Sequence, residues 1–574
     1  MKYFCNPVNI NYRYQFYDEK HPNGRMKIGR EAADPSMILF KGRYYIFASM
    51  TLGVWASDDL VSWENHRLPD ELPLYDYAPD VRVIGDWVYL CASSRDVNCD
   101  RFRTKDVLAG PYEKIEGTFP FWDPNLFADD DGRVYFYWGC SDVTPIWGCE
   151  LDPESMLPIG EAKELISGHP DRIGFERVGE NNSLPPGEPA RNPYVEGAWV
   201  DKFGGRYYLQ YAVPGTEFNI YADGVYVSES PLGPYVLAKD NPFSFKPGGF
   251  MTGAGHGSTM LDMNGRWWHA ASMRISVNHM FERRVGIWRS GFDRDGALFC
   301  NQRYGDWPIA VDETGKADAD PWQEPEWMLL SAGKKMSASS FREGCSPQEA
   351  AKEDARTWWS PKTAGREEWI MEDIGEVMRV NAVQINFADD YPDIPCPGRI
   401  RGTDSARFID DKEYPTQWKL EGSADGENWF VIEDKSEAET DLSHDLVINE
   451  DGWKIRFLKL SDMAVPYGQI PCISGLRVFG RGNGGAPSAP SFDARRTGPM
   501  DMIVDIDPSS EDPENKALGW NILFGSAPDK LYHSLMTFKA LENVIGALVT
   551  GREYFVRVDA FNENGITHGK VRPL

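Results

Sequence analysis

Positive charge is scarce in this sequence: Lys and Arg number 60 against 88 Asp and Glu, a formal net charge of −28. Such a surface repels phosphate backbones and anionic lipid headgroups, so nucleic-acid and membrane partners are not expected. Cysteine is sparse as well, with nine residues scattered from Cys5 to Cys472 and no CxxC pair, which excludes a disulfide scaffold. No run of 18 or more apolar residues occurs, which excludes an ordinary membrane-spanning helix. The first residues, MKYFCNPVNINYRYQFYDEK, lack the apolar core and small-residue cleavage site of a signal peptide. The expected location is cytoplasmic, or secreted or periplasmic if a leader has been removed. What the chain has in quantity is aromatic residues, 13% of 574, whose flat faces suit strand packing and the faces of sugar rings. The length suggests three or four domains.

One pattern occurs five times in the first 300 residues: a polar residue, a short β-rich run, a turn with Gly, then aromatics. The copies are Asp34-Pro35 with Gly42-Arg43-Tyr44-Tyr45, Pro79-Asp80 with Gly85-Asp86-Trp87, and Asp123-Pro124 with Gly132-Arg133-Val134-Tyr135. Glu196-Gly197 with Gly205-Arg206-Tyr207-Tyr208, and His256-Gly257 with Gly265-Arg266-Trp267-Trp268, complete the set. The polar residues are 46, 43, 73 and 60 positions apart, near the length of a four-stranded propeller blade, with insertions in the later intervals. The pattern predicts an all-β fold led by a five-bladed propeller over residues 1–308. Its innermost strands would gather Asp34, Asp80, Asp123, Glu196 and His256 around one funnel.

Residues 309–330 read as a polar, acidic linker. From 331 to 480, alternating runs such as Val383-Gln384-Ile385-Asn386-Phe387 and Trp418-Lys419-Leu420-Glu421 predict a β-sandwich. A Gly- and Pro-rich linker, 481–490, precedes a smaller sandwich at 491–574.

Carboxylates crowded into a partly dry funnel cannot all ionise at ordinary pKa values, so one is expected to keep its proton near neutral pH. Hydrolysis of a glycosidic bond needs such an acid for the leaving oxygen and a second carboxylate to activate water or attack the sugar. The segments Ala33-Asp34-Pro35-Ser36-Met37, Trp122-Asp123-Pro124-Asn125 and Val195-Glu196-Gly197-Ala198-Trp199, in this order and on these blades, resemble glycoside hydrolase family 43. The resemblance implies Asp34 as general base, Asp123 as modulator and orienter of the acid, and Glu196 as general acid, in single-displacement hydrolysis with inversion. It also implies a fifth-blade His256 directed into the channel toward a calcium ion, through water, or toward ordered waters alone, calcium being possible and no cofactor being required for the proton chemistry. Arg283 or Arg284 would bind sugar hydroxyls; Tyr77, Trp122 and Trp138 are the candidate stacking surfaces. Asp80 reads as structural or as an acceptor for a sugar hydroxyl.

The segment 331–480 resembles the discoidin sandwich shared with family 32 carbohydrate-binding modules, on Ser337-Ala338-Ser339-Ser340, Trp358-Trp359, Trp369, Glu421-Gly422-Ser423-Ala424-Asp425-Gly426 and Ile473-Ser474-Gly475-Leu476. The final segment resembles fibronectin type III. The expected partner is an oligosaccharide or polysaccharide, and the expected activity is release of pentose or furanose residues, of the β-xylosidase or α-L-arabinofuranosidase type. Endo-acting arabinanase or xylanase, β-galactofuranosidase and a non-catalytic carbohydrate-binding propeller are the alternatives. A retaining fructan-type enzyme on this fold would show Asn-Asp-Pro-Asn-Gly near the start, which Ala33-Asp34-Pro35-Ser36-Met37 does not.

Overall fold

A computed structural model describes residues 1–574 apart from 74–76, 95–96, 313–319, 397–406, 411, 509–511, 539 and the side chain at position 18. Regular structure among the described residues is β-strand, with a few single turns of 3-10 helix. Five antiparallel units, each of four main strands in sequence order, make the propeller. Blade one runs from Ala33–Phe40 to Glu64–Arg67, blade two from Tyr77–Ile84 to Glu113–Ile115, and blade three from Asn125–Ala128 to Pro158–Ile166. Blade four runs from Glu196–Phe203 to Val236–Leu237 and blade five from Thr252–Leu261 to Leu298–Cys300. The turn Gly of each copy, at 42, 85, 132, 205 and 265, has φ between 60° and 86°, a conformation that a side chain would strain.

The alternation within one strand shows how blades adhere. In Arg43–Ser49, residues Tyr44, Ile46 and Ala48 join a core with Trp268, Ala270 and Val285 of blade five. Tyr45 and Phe47, pointing the other way, join Val81, Val88 and Leu90 of blade two. A strand with period-2 apolar residues on both faces is therefore satisfied only between two neighbouring blades.

The inner strands correct one part of the repeat. The residues in left-handed backbone at the head of each are Asp34, Ala78, Asp123, Gly197 and His256, with φ of 47° to 63°. Blade two thus aligns on Ala78-Pro79, and Asp80 falls two residues further along. There it acts with its structural equivalents as a tie between blades. Ser258 Oγ donates to Pro35 O (2.7 Å), Ser36 Oγ donates to Pro79 O (2.7 Å), and Asp80 Oδ2 accepts the Leu126 N–H (2.8 Å). Asn125 Oδ1 then accepts the Val200 N–H (2.9 Å). Asp80 is raised to about 6 by burial, which the nearby Arg82 and these hydrogen bonds oppose.

Beyond the propeller, Ile309–Val311 pairs with the N-terminal strand Lys2–Phe4, and Met328–Leu329 pairs with Cys472–Arg481. The proposed linker therefore carries strand near both ends; its residues 313–319 lie outside the described residues. A seven-stranded sheet spans residues 328–481, including the long strands Ile370–Ala388 and His444–Ala464. Two further sheets occupy residues 491–573. Both C-terminal units are fixed to the propeller. Arg30 donates to Asp389 (3.0 Å), Asp441 (2.9 Å) and Tyr14 Oη (2.7 Å), while Arg477 pairs with Glu353 (2.9 Å) and donates to Asp306 O (2.5 Å). Phe492, Val504, Trp520 and Val558 share one core with Leu209, Tyr211 and Val213 of blade four.

Candidate active site

Asp34, Asp123 and His256 occupy left-handed backbone at the head of their blades, at φ 49°, 47° and 53°. Such a conformation is costly for non-glycine residues and persists where surrounding contacts enforce it. The contacts here repeat. Ser272 Oγ accepts the Asp34 N–H (2.8 Å), Ser49 Oγ that of Ala78 (2.7 Å) and Ser93 Oγ that of Asp123 (2.7 Å). Each serine ends the second strand of the preceding blade or lies in it, so the hydroxyl ties one blade's strand to the residue at the head of the next.

These kinks bring side chains from blades one, three and five together. His256 Nδ1 lies 3.5 Å from Asp34 Oδ1 and 3.8 Å from Asp123 Oδ2. Its ring covers Gly197, where a Cβ would approach the imidazole to 2.8 Å. The His256 N–H donates to Asp223 Oδ1 (2.7 Å), and Asp223 Oδ2 meets His269 Nε2 (3.0 Å). Burial opposes a proton on His256, but Asp34, Asp123, Glu196 and Asp223 outweigh it and raise its pKa.

Asp34 and Asp123, both buried, have opposite electrostatics. Burial alone would raise Asp34, but Arg283, His256 and Ser49 hold it below the usual carboxylate range. Arg283 Nη1 donates to Asp34 Oδ1 (2.8 Å) and Ser49 Oγ to Oδ2 (2.6 Å). Asp123 is pushed up to about 7, first by burial and then by the negative charges of Glu196 and Asp34, against the pull of His256. Asp34 is therefore an ionised acceptor at neutral pH, while a proton is held on the Asp123 side of the funnel.

Glu196 stands beside that proton. Its Oε1 accepts from Tyr221 Oη (2.5 Å) and its Oε2 from Cys140 Sγ (3.1 Å). Burial, then Asp123 and Glu196, push the Cys140 thiol well up, so the sulfur is a donor here and not a thiolate. Asp123, Cys140 and Glu196 place one ligand atom each within 4.8 Å of one another. This trio does not fit calcium, which takes six to eight oxygens, and His256 would add a nitrogen, not an oxygen. No step is therefore routed through a metal.

Neighbouring residues on a strand face opposite ways, and this separates the two arginines. Arg283 grips Asp34 and also donates to Glu31 Oε1. Arg284 turns into the domain interface, donating to His444 Nε2 (2.9 Å) and Arg30 O (2.9 Å); it is no sugar ligand. Trp138 stacks on Phe136 and meets Phe119 edge-on, inside the packing between blades two and three. Trp122 is half-buried beside Asp123, with its carbonyl accepting the Gly139 N–H (2.8 Å). Tyr77 is half-buried, 6.2 Å from the Phe281 ring; its neighbours Tyr75 and Asp76 lie outside the described residues.

Glu31, Ser49, Ser93, Cys140, Tyr221, Asp223 and Ser272 were absent from the sequence-based set. The Ala-Ser endings Ala48-Ser49, Ala92-Ser93 and Ala271-Ser272 recur across the repeat and could have identified three of them. Cys140 takes the corresponding place after the second strand of blade three.

Residues 28–298 match the family model for glycosyl hydrolases family 43. Xylosidase/arabinosidase 43A of Humicola insolens is 27% identical over 259 residues, covering 39% of this chain and 73% of that protein. A beta-xylosidase of Xylanibacter ruminicola is 28% identical over 156 residues, covering 23% and 44%. A xylan 1,3-beta-xylosidase of Vibrio sp is 26% identical over 339 residues, covering 51% and 59%. The match thus spans about half to three quarters of these relatives. Residues 28–298 are a glycoside hydrolase domain of family 43.

Proposed function

We propose that the chain releases pentose or furanose residues from oligosaccharides by single displacement with inversion, as a β-xylosidase or α-L-arabinofuranosidase. Asp34 takes a proton from the attacking water, and Glu196 protonates the leaving oxygen. Asp123 keeps a proton on the acid side and orients Glu196 through the group around Cys140. The observation that carries this reading is the opposite tuning of two buried aspartates on one His256: Asp34 held low, Asp123 raised to about 7.

Exo action is favoured by the insertion ahead of blade four. Its Glu180 pairs with Arg274 of blade five, and Asn181 accepts from Asn219 Nδ2 (2.8 Å), which fastens the segment to blades four and five. Endo-acting and galactofuranosidase activities are the alternatives. The C-terminal sheets, read as discoidin-like and fibronectin type III-like, serve as braces; the buried ion pairs of the first and the apolar core that the second shares with blade four support this over a mobile binding role. A calcium ion near His256 is not part of the proposed reaction.

Hydrolysis of a panel of aryl pentosides, furanosides and hexosides by wild type and Glu196→Ala tests the reading. Turnover of pentosides or furanosides that the variant loses supports it. Equal turnover by both proteins, or cleavage of hexosides alone, contradicts it.

A further inference from the structure

A strand from beyond the propeller reaches the base side of the funnel. Arg407–Ile409 pairs antiparallel with Arg13–Lys20, in register Tyr17 to Arg407 and Gln15 to Ile409, and Arg13–Lys20 pairs in turn with Met26–Glu31. The first residue of the added strand is buried at 3% exposure. Arg407 Nη1 donates to Glu31 Oε2 (2.6 Å). Its guanidinium lies over the rings of Tyr17 and Tyr77, 4.7 Å from each, and 5.3 Å from Phe281. The other oxygen of Glu31 accepts from Arg283, whose second nitrogen holds Asp34.

Glu31, at 0% exposure, thus sits between two guanidiniums, and Arg283 sits between two carboxylates. The four side chains form one buried, electrically neutral row, Arg407–Glu31–Arg283–Asp34. Removal of the outer arginine leaves two carboxylates on a single cation; Glu31 then draws Arg283 away from Asp34. The ring of Tyr77 also loses the flat cation against which it rests.

We propose that Arg407, delivered by the C-terminal sandwich, is a positioning residue of the active site that fixes Arg283 on Asp34 through Glu31 and sets the ring of Tyr77. The accessory unit is then a working part of the catalytic centre. This rests on the reading of Asp34 as general base. Arg407 itself does not reach the reacting atoms. The other groups facing Asp34 are His256, Ser49, Ser272, Tyr221 and Asp123. Those facing Glu31 and Arg407 are Tyr17, His279 and Glu19. All of them stay in place in the variants below.

The test uses the full chain and the pH dependence of kcat/KM on the aryl glycoside that wild type turns over best. Arg407→Gln is expected to lower kcat/KM about 10- to 100-fold and to move the acidic limb up by about one pH unit. Arg407→Lys, which keeps charge and loses the fork, is expected to hold the limb within half of that shift. Glu31→Gln/Arg407→Gln, which restores neutrality around Arg283 and Asp34, is expected to return the limb toward wild type, and it serves if Arg407→Gln alone does not fold. Ile409→Ala loosens the same strand against Met50 and Leu52 without changing charge; it should lower Tm and leave the limb in place. A folded Arg407→Gln with a wild-type limb and kcat/KM within twofold overturns the inference, as does an equal shift in Ile409→Ala. If Asp34→Asn is as active as wild type, the base assignment falls, and the inference falls with it.

Discussion

Cys140 Sγ donates to Glu196 Oε2 across 3.1 Å, in the place where Ser49, Ser93 and Ser272 accept the backbone N–H of Ala78, Asp123 and Asp34 at the heads of the neighbouring blades. The repeat thus puts a small polar side chain at four points of the ring, three hydroxyls that accept a backbone N–H and one thiol that donates to the proposed acid. A thiol donates more weakly than a hydroxyl and is larger. Cys140→Ser is expected to keep activity within about tenfold, and Cys140→Ala to lower kcat more than KM, because the donor to Glu196 is gone. Steady-state kinetics of the two variants separate the cases; an unchanged kcat in Cys140→Ala would remove the thiol from the mechanism.

The pH profile follows from the two aspartates. Asp34 stays ionised until pH falls below the usual carboxylate range, so the acidic limb of kcat/KM should lie low. On the alkaline side, the proton held by Asp123 is lost as pH rises through about 7, and activity falls there. Asp123→Asn removes the carboxyl that titrates there, so the alkaline limb should not stay near 7, with kcat reduced about 10²-fold. An alkaline limb that stays put in Asp123→Asn would contradict the coupling.

Adjacent arginines should fail in different ways. Arg283→Ala leaves Glu31 and Asp34 buried without their shared cation, so activity should collapse along with about 3–5 kcal/mol of stability. Arg284→Met cuts the contact to His444 and should lower Tm while kcat, measured below the transition, stays within a few fold. Loss of kcat in a folded Arg284→Met would place that residue in the site after all.

Gly197→Ala tests the seat of His256. A methyl at φ 63° meets the imidazole at 2.8 Å, displacing the group that links Asp34 and Asp123, next to Glu196. Activity should drop at least 10²-fold with far-UV circular dichroism unchanged; a fully active variant would show that the His256 position is unimportant.

Chelation distinguishes proton chemistry from metal chemistry. Dialysis against EDTA should leave kcat unchanged, since no step uses calcium. A loss restored by added calcium would overturn that statement.

Much of the propeller was legible because each blade repeats the same physical problem: a polar head, an inner strand, a glycine turn and an aromatic strand shared between two cores. The register of blade two was not, because the acid in Tyr77-Ala78-Pro79-Asp80 draws the eye while the backbone kink falls on Ala78. Asp34, Asp123, Glu196 and His256 could be picked out because they sit at the head of the repeat. The choice between Arg283 and Arg284 could not be made, since alternation says that only one faces the funnel and not which. Nor could the partnership of Glu31 with Arg407, 376 residues apart, be read from local pattern; it exists only because the sandwich docks on the propeller.

The most direct test of the central claim is the anomeric form of the first product, followed by proton NMR during hydrolysis by the full chain. Asp34 as base and Glu196 as acid predict a product of inverted configuration that later mutarotates, with the signal absent in Asp34→Asn. A first product of retained configuration would mean a covalent glycosyl-enzyme and would contradict the account.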